Sequence, residues 1–444
     1  MLKPIREKER DACVLIKDAK FPAPFDSRLE FSCSARGTWN IVHIGMLIPE
    51  IHQIFVCAQS CLRGVVLTAA EMNAIDRFSN IIVRENNVLE GDTEDLIIEG
   101  VGDILSKLPY KPKAVLVYTS CVHHFVGCDL PLVYKRLREK YPDIEFTDCY
   151  MNPIMRKSGL TPDQIMRRQL YSLLDKEELE EKSVNIIGNN YSTDESSELV
   201  KIIRDNGFAL REITDTKTYA EYKEMGKSSI NISYNPVARE AGRYLEEKLG
   251  QKHLYLPLCY GFDEIEKNLD LLCENLGVDK IDFEENKKAA TEALNKAQKV
   301  IGDTPIVIDY TLTMRPLGLA RLLLEHGFNV ESIYVDSFIA EEKDDFDWLR
   351  GNYPDIKIYA TVHVKMRFVD RKSDEKILAL GQKAAYFTGS NNFVNIAEGG
   401  GMYGFDGIVK LADLMIDAFL NEKDAKKLIQ FKGLGCENYE TNCK

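Results

Sequence analysis

The sequence of 444 residues lacks several features by which whole classes of protein are recognised. It has no run of about 18 apolar residues, so we expect no membrane span. Its first residues, MLKPIREKERDAC, lack the apolar stretch of a secretion signal, and we therefore expect a cytoplasmic protein with reduced thiols. It has no basic excess either: 57 lysines and arginines against 70 acidic residues give a net charge of −13, which disfavours a nucleic-acid partner.

Several catalytic and metal-binding motifs are also absent. Because there is no Walker A motif, we do not expect the chain to hydrolyse ATP itself. The His-Glu-x-x-His and Gly-x-Ser-x-Gly motifs are missing as well. The paired Cys-x-x-Cys of a zinc ribbon does not occur, which counts against structural zinc. With 45% apolar and 29% charged residues, the composition is that of an ordinary globular protein rather than a disordered or fibrous one.

What the sequence does contain is an alternation of strand-like and helix-like segments in three blocks. Short segments rich in β-branched residues, separated by helix-length segments, indicate βαβ units and parallel sheets. The pattern predicts an α/β protein of three Rossmann-like domains, with parallel β-sheets flanked by helices. We place an N-terminal domain with most of the cysteines, a second domain, and a third domain with a C-terminal helix at residues 1–160, 161–300 and 301–444.

Individual elements follow from the same pattern. Strands are predicted at residues 52–56, 79–83, 114–118, 145–150, 184–188, 208–213, 230–234, 253–257, 305–310, 329–336, 355–360 and 384–389. Helices are predicted at residues 196–206, 317–325 and 407–419, and glycines stop the first two. Turn residues at 157–162 predict a linker, and the acidic residues 175–182 predict a solvated helix or connector. Since ligands of open α/β sheets lie at the carboxyl ends of strands, we seek chemistry in the loops that follow them.

The cysteines of the first block carry the strongest functional signal among the 11 in the chain. Cys57 and Cys61 follow the first predicted strand, Cys121 follows the third, and Cys33 lies in a loop-like stretch. Thiolates placed in this way can converge on an iron–sulfur cluster or on zinc, and the spacing alone does not distinguish the two. The alternative is that a cysteine is a small buried apolar residue, which we expect of Cys13, Cys149, Cys273, Cys436 and Cys443.

The segments around these cysteines resemble the nitrogenase component 1 family. Its N-terminal region is similar to the stretch that runs from PheSerCys at Cys33 through HisGlnIlePheValCysAlaGlnSerCys to LeuArgGlyValVal. Its third cysteine motif is similar to ValTyrThrSerCysValHisHisPheValGlyCysAsp. ValAsnIleIleGly at 184–188 resembles the start of its second domain, and GlyMetTyrGlyPheAspGly at 401–407 resembles its C-terminal loop. The resemblance covers nearly the whole chain, and the order and spacing of the motifs carry it.

This resemblance implies one subunit of a two-subunit oxidoreductase component. In the family, three cysteines of each subunit bind an iron–sulfur cluster where paired subunits meet. Carried over, the ligands here are Cys33, Cys121 and either or both of Cys57 and Cys61. The implied cluster is [4Fe–4S] or larger, P-cluster-like and oxygen-sensitive, and it relays low-potential electrons. The implied partners are a homologous or identical component 1 subunit, an ATP-hydrolysing iron-protein reductase and a small-molecule substrate.

The chain departs from the family where molybdenum nitrogenases hold a second metal cofactor. There a histidine of the C-terminal loop and a cysteine of the second domain bind it. Here Tyr403 stands at the histidine position. Cys259 could lie near the cysteine position, but its surroundings match poorly, and the alternative is a core residue near a strand end. We therefore expect a substrate other than dinitrogen, as in relatives that reduce tetrapyrroles or carbon–sulfur bonds. The alternatives are a scaffold or partner subunit for metal-cofactor assembly, and a Rossmann-type small-molecule-binding protein with incidental cysteines.

Three side chains are weaker candidates for catalysis: His123, His124 and Tyr403. A histidine next to Cys121 can donate a proton to a substrate or a hydrogen bond to a cluster sulfide, since its pKa lies near neutrality. The alternative is a histidine that is exposed or only supports its neighbours. Arg63 can stabilise a reduced cluster or simply form a salt bridge.

Two loops are candidates for anion binding. Residues 398–404 are rich in glycine and can bring backbone amides to an anion, or can merely connect two elements. Residues 188–194 precede a predicted helix and can bind phosphate at its N-terminus. The alternative for the second loop is that Asp194 caps the helix.

Overall fold

The computed structural model describes residues 11–26, 29–35, 37–152, 159–371 and 375–429. Within these residues fourteen strands form three sheets, one of six strands and two of four. The prediction of an α/β fold with parallel sheets flanked by helices is confirmed, and one edge strand of the six-stranded sheet runs antiparallel. Cys436, Cys443 and the first two residues of the predicted linker, 157–158, lie outside the described residues.

The strands agree closely with the predicted positions. In chain order they are β1 Cys13–Leu15, β2 Ile51–Cys57, β3 Phe78–Ile82, β4 Ala114–Ser120, β5 Glu145–Met151, β6 Glu180–Ile186, β7 Ala209–Glu212, β8 Ser228–Ser233, β9 Lys252–Tyr255, β10 Ile306–Asp309, β11 Val330–Tyr334, β12 Lys357–Tyr359, β13 Leu378–Leu380 and β14 Phe393–Val394. Eleven of the twelve predicted strands overlap one of these.

Helices separate most of the strands. They are α1 Ile41–Gly45, α2 Gln59–Glu71, α3 Glu85–Glu90, α4 Thr93–Lys107, α5 Cys121–Phe125, α6 Leu130–Lys140, α7 Pro162–Gln169, α8 Glu198–Asp205, α9 Tyr219–Glu224, α10 Arg239–Leu249, α11 Phe262–Leu276, α12 Glu284–Ile301, α13 Pro316–Glu325, α14 Lys343–Asn352, α15 Gln382–Thr388, α16 Gly404–Leu420 and α17 Ala425–Ile429. Every described helix is too short or too polar to cross a bilayer.

The described chain divides into two compact units. One comprises Trp39–Ser192 and Ile203–Leu256 and contains both four-stranded sheets, ordered β3-β2-β4-β5 and β7-β6-β8-β9. The other comprises the described residues up to Thr38, residues Thr193–Ile202 and those from Pro257 onward. It contains the six-stranded sheet β1-β12-β11-β10-β13-β14, in which β1 pairs antiparallel with β12. The predicted boundaries at residues 160 and 300 stay a prediction.

One predicted strand is wrong. Residues 384–389 lie in and just after helix α15, and the neighbouring strand is β13. Residues 382–387 are all buried, so the segment shows neither the alternation of a half-buried strand nor the polar face of a surface helix. Gly381, with φ of 123°, separates the strand from the helix. The acidic segment 175–182 is a connector, as one predicted alternative has it, up to residue 179; residues 180–182 are instead the exposed start of β6.

Candidate functional site

The carboxyl ends of two central strands bring Cys57 and Cys121 close together. Cys57 is the last residue of β2 and is fully buried, and Cys121 directly follows β4 as the first residue of α5. Val56 pairs with Thr119 across the parallel strands, so Cys57 lies beside Ser120. Neighbouring strands are about 4.8 Å apart. The two thiols therefore share one edge of the sheet, as their positions after predicted strands indicated.

Cys61 joins this pair from the first turn of α2, where its side chain is exposed. Burial raises the pKa of the Cys57 thiol to about 12, and the neighbouring Cys61 and Cys121 raise it further because thiolates repel one another. Without a bound cation Cys57 is therefore a neutral thiol at physiological pH. A buried neutral thiol beside two further cysteines suits a group that carries iron, since iron binds thiolates and offsets their charge.

The three thiols do not form a ready-made site for one metal ion. Within the described residues, no group of three or more histidine, cysteine or acidic side chains is arranged to hold a metal ion. In an iron–sulfur cluster each thiolate binds a different iron, so its ligands need not converge on one point. Thiolates are the ligands of such clusters, so the donor set of this edge fits one.

Cys33 lies in the other compact unit. It is buried in an apolar cluster with Ala35, Ala384 and Ala385. The structure thus groups three of the four predicted ligands within one unit, and the participation of Cys33 stays a prediction.

Two buried polar residues lie within two positions of Cys121. His123 is 1% exposed and Ser120 is 4% exposed. The His123 Nδ1 accepts a hydrogen bond from the Ser120 backbone N–H at 3.2 Å. Burial lowers the pKa of His123, although the Ser120 carbonyl and Glu94 oppose this. Across the described residues, neither the Ser120 hydroxyl nor the His123 Nε2 has a hydrogen-bond partner.

His124 and the two residues after it turn towards solvent. His124 is exposed, Phe125 is 70% exposed and Val126 is 38% exposed. Arg63 is exposed in α2, and no ion pair of the described residues includes it. The salt-bridge alternative for Arg63 therefore finds no support in the described chain.

The glycine-rich loop 398–404 connects elements of the unit with the six-stranded sheet. Gly399, Gly400 and Gly401 adopt φ of 78°, 55° and 89°, a left-handed conformation that glycine adopts readily. The backbone amides of Glu398 and Gly399 donate to Thr311 and Leu312 carbonyls at 2.7 and 2.6 Å. These amides are already used, which favours the connecting role over anion binding.

Tyr403 and Asp194 lie near this loop. Tyr403 is buried directly before α16, and its carbonyl accepts from the Ser197 hydroxyl at 3.3 Å. Asp194 does not cap α8: its carboxylate pairs with Lys410 at 2.7 Å. Instead Ser197 precedes the helix and accepts from the Leu199 N–H at 3.3 Å, so the predicted cap at Asp194 is wrong.

Cys259 behaves as a core residue. Its thiol is buried, burial raises its pKa to about 12, and Asn268 Nδ2 donates to its Sγ at 3.4 Å. Arg315 and Asp345 form a buried salt bridge in the same unit, with 2.6 Å between Arg315 Nη2 and Asp345 Oδ2.

Sequence reasoning missed a polar cluster at the carboxyl ends of the six-stranded sheet. Lys383 is buried after β13, and its Nζ donates to the Tyr310 hydroxyl at 2.6 Å and to Thr361 Oγ1 at 3.3 Å. Burial alone lowers the pKa of Lys383, but nearby Tyr310, Cys33 and Asp336 reverse this, so the net shift is upward. Tyr310 lies inside a predicted strand and Thr361 follows one, and these positions were the available signal, whereas Lys383 directly precedes the wrongly predicted strand 384–389.

Comparisons with known proteins give one family and a set of structural neighbours. The model of the family described as nitrogenase component 1 type oxidoreductase matches residues 42–419. A solved chain described as "Nitrogenase Cp1 at pH 6.5" has a TM-score of 0.64 and 15% identity, covering 89% of this chain and 95% of that chain. Another, "Nitrogenase Cp1 at pH 5", has a TM-score of 0.56 and 13% identity, covering 92% and 93%. No curated protein matches.

Proposed function

The chain belongs to the nitrogenase component 1 type oxidoreductases, and from this premise we propose that it is one subunit of such an enzyme and binds an iron–sulfur cluster near a subunit interface. The observation that carries the proposal is the grouping of Cys57, Cys61 and Cys121 at one sheet edge. When bound, the cluster supplies low-potential electron transfer. The protein's own part is to supply thiolates, to bury Cys57 and to limit access of water.

The proposed partners follow from what surrounds this edge. Phe125 and Val126 are exposed apolar residues within five positions of Cys121, and such residues suit contact with a homologous or identical subunit. The resemblance to the family implies an ATP-hydrolysing iron protein, and this is the proposed source of electrons; the chain itself has no Walker A motif. The proposed site of action is the cytoplasm.

The proposed substrate is a small molecule other than dinitrogen. The position at which molybdenum nitrogenases have a cofactor-binding histidine is occupied by Tyr403, which is buried. A phenol differs from an imidazole in charge and in metal preference, so the same cofactor would lose a ligand. The same observation favours a second candidate function, a scaffold that holds a metal cofactor during assembly.

The experiment that tests cluster binding measures iron, acid-labile sulfide and the visible spectrum of protein purified without oxygen. We expect stoichiometric iron and sulfide, and we expect Cys121→Ala to lose both together with the absorbance. The matched control is Cys149→Ala, because Cys149 is a fully buried cysteine of the same sheet that is expected to be a core residue. Full retention of iron and sulfide by Cys121→Ala, or wild-type protein without iron, would refute the proposal.

The same assay tests whether Cys57, Cys61 or both bind the cluster. Cys57→Ala and Cys61→Ala are compared separately, and whichever variant loses iron marks a ligand. Turnover of substrate with the reductase supports the oxidoreductase. Iron binding without turnover, followed by transfer of the cofactor to another protein, supports the scaffold.

A further inference from the structure

Two buried polar atoms next to Cys121 have no hydrogen-bond partner within the described chain. They are the Ser120 hydroxyl, one residue before the cysteine, and the His123 Nε2, two residues after it. Both residues are more than nine-tenths buried. Buried polar atoms are nearly always hydrogen-bonded, and each exception requires an explanation. That two exceptions flank one cysteine indicates a shared cause.

The contacts of Nδ1 are used to assign the tautomer of the His123 ring. Nδ1 lies 3.2 Å from the Ser120 backbone nitrogen, whose N–H can only donate, and 3.3 Å from the Ser120 carbonyl oxygen, which can only accept. We assign Nδ1 as the acceptor of the shorter contact, and this assignment puts the single proton of the neutral ring on Nε2. The unpartnered atom is thus an N–H group that seeks an acceptor.

The Ser120 hydroxyl lies directly before helix α5. A serine at this position normally accepts a hydrogen bond from a backbone N–H of the first turn. Ser120 and His123 are placed as such a capping box, in which the Ser120 oxygen serves only as an acceptor, so its O–H stays without a partner. The Ser120 hydroxyl is consequently a second free donor beside Cys121.

The nearest acidic group does not supply the missing acceptor. Glu94 is close enough to His123 to influence its ring. However, one Glu94 oxygen accepts from the Asp129 N–H at 2.7 Å and the other from the Thr93 hydroxyl at 3.0 Å. Sulfur is the other acceptor close in sequence, at Cys121 itself and at whatever its thiolate binds.

We propose that Ser120 Oγ–H and His123 Nε2–H donate hydrogen bonds to sulfur atoms at Cys121 and thereby set the reduction potential there. Both are positioning residues, and the inference rests on the proposed function. A hydrogen bond to a sulfur stabilises the more negative, reduced state more than the oxidised state, so donors raise the potential. Removing a donor shifts the midpoint to more negative values.

The test compares two substitutions of His123 that separate its two nitrogens. In His123→Asn the amide oxygen replaces Nδ1 and keeps the bond to Ser120, while the donor at Nε2 is lost. In His123→Gln the amide nitrogen reaches the position of Nε2, and the bond to the backbone is lost. The control is His124→Asn, which changes the neighbouring, exposed histidine. Iron, sulfide and the midpoint from an anaerobic titration followed by electron paramagnetic resonance are measured for each.

The expected result is a more negative midpoint in His123→Asn at unchanged iron content. An about tenfold change in the ratio of oxidised to reduced protein corresponds to about 59 mV for a one-electron couple. His123→Gln should remain near wild type, and His124→Asn should not shift. If His123→Asn fails to fold, Ser120→Ala decides, with a shift in the same direction supporting the inference and no shift refuting it.

The contrary results are distinguishable. An unshifted midpoint in His123→Asn with intact iron would mean that water satisfies these donors, which overturns the inference and leaves the proposed function standing. An equal shift in His124→Asn would mean a general charge effect and would also overturn it. Wild-type protein without iron would overturn the proposed function itself.

Discussion

His52 and His123 show how differently two buried histidines of one sheet can be surrounded. Both ring nitrogens of His52 have partners at 2.8 Å, the Tyr110 hydroxyl and the Ser79 hydroxyl. At His123 only Nδ1 is satisfied within the described residues. A completely satisfied histidine has a structural role, whereas a histidine with one free donor has hydrogen-bonding capacity left for another group.

The structural role of His52 predicts a pH dependence of stability. Burial lowers the pKa of His52 to about 4, with the Arg77 charge contributing, against about 6.5 in an unfolded chain. Between these values the unfolded state binds a proton that the folded state does not, so stability falls as pH falls through this range. Lowering the pH from 7.5 to 5 should reduce the free energy of unfolding by about 2 kcal/mol through this group.

Urea unfolding of wild type and His52→Asn at both pH values checks this prediction. The variant should be less stable at pH 7.5, and its own loss between the two pH values should be smaller by about 2 kcal/mol, because the titrating ring is gone. Equal pH dependence of the two proteins would contradict the assignment.

The sequence predicted that Cys57 and Cys121 lie close together, but it did not predict the hydrogen bonds of the residues around them. Cys57 and Cys121 were found because each directly follows a recognisable strand, and parallel strands end at a common edge. The free donors of Ser120 and His123 depend on one turn of backbone and on the burial of its side chains. Neither property is visible in residue type or spacing.

Helix α10 packs against strand β9 through a glycine. A Cβ on Gly242 would lie 2.2–2.5 Å from the ring of His253. His253 is itself fixed, since its Nε2 hydrogen-bonds to the Ser233 hydroxyl at 2.8 Å. We therefore expect Gly242→Ala to lose about 1–3 kcal/mol of unfolding free energy, although alanine favours helices.

The matched substitution is Gly64→Ala in α2, where nothing lies within 4 Å of the added carbon. This variant should gain up to about 1 kcal/mol from helix propensity alone. Urea midpoints of both variants provide the measurement. A Gly242→Ala protein as stable as wild type would show that helix and strand separate easily.

Secondary structure was predictable where a strand is bounded by turns and rich in β-branched residues. The fully buried β2 and β4 are examples, since buried parallel strands are continuous apolar runs. The same reasoning failed for α15, because a short helix that is buried on all sides is also a continuous apolar run. The error hid the neighbouring cluster around Lys383, whose position after β13 was not recognised.

Two compact units share the chain, and neither is continuous in sequence. The unit with the four-stranded sheets is interrupted at Thr193–Ile202, and the other unit takes up that segment together with the residues before Trp39. Three successive domains were the natural prediction because local patterns reveal sheets. Which distant segments join one unit depends on long-range packing, which local patterns do not encode.

Iron binding should protect the segments that supply ligands from hydrogen exchange, and this protection tests whether Cys33 is a ligand. Ligand binding to the folded state alone protects the segments that must open for release. Anaerobic hydrogen exchange of iron-loaded and iron-depleted protein should therefore show added protection at the ends of β2 and β4, around Cys57 and Cys121. Because Cys33 is also proposed as a ligand, protection should appear at residues 33–35 in the other unit. The segment around Cys273, a buried residue of α11, should not change. Protection confined to the four-stranded sheet would remove Cys33 from the ligand set and leave the other three in place.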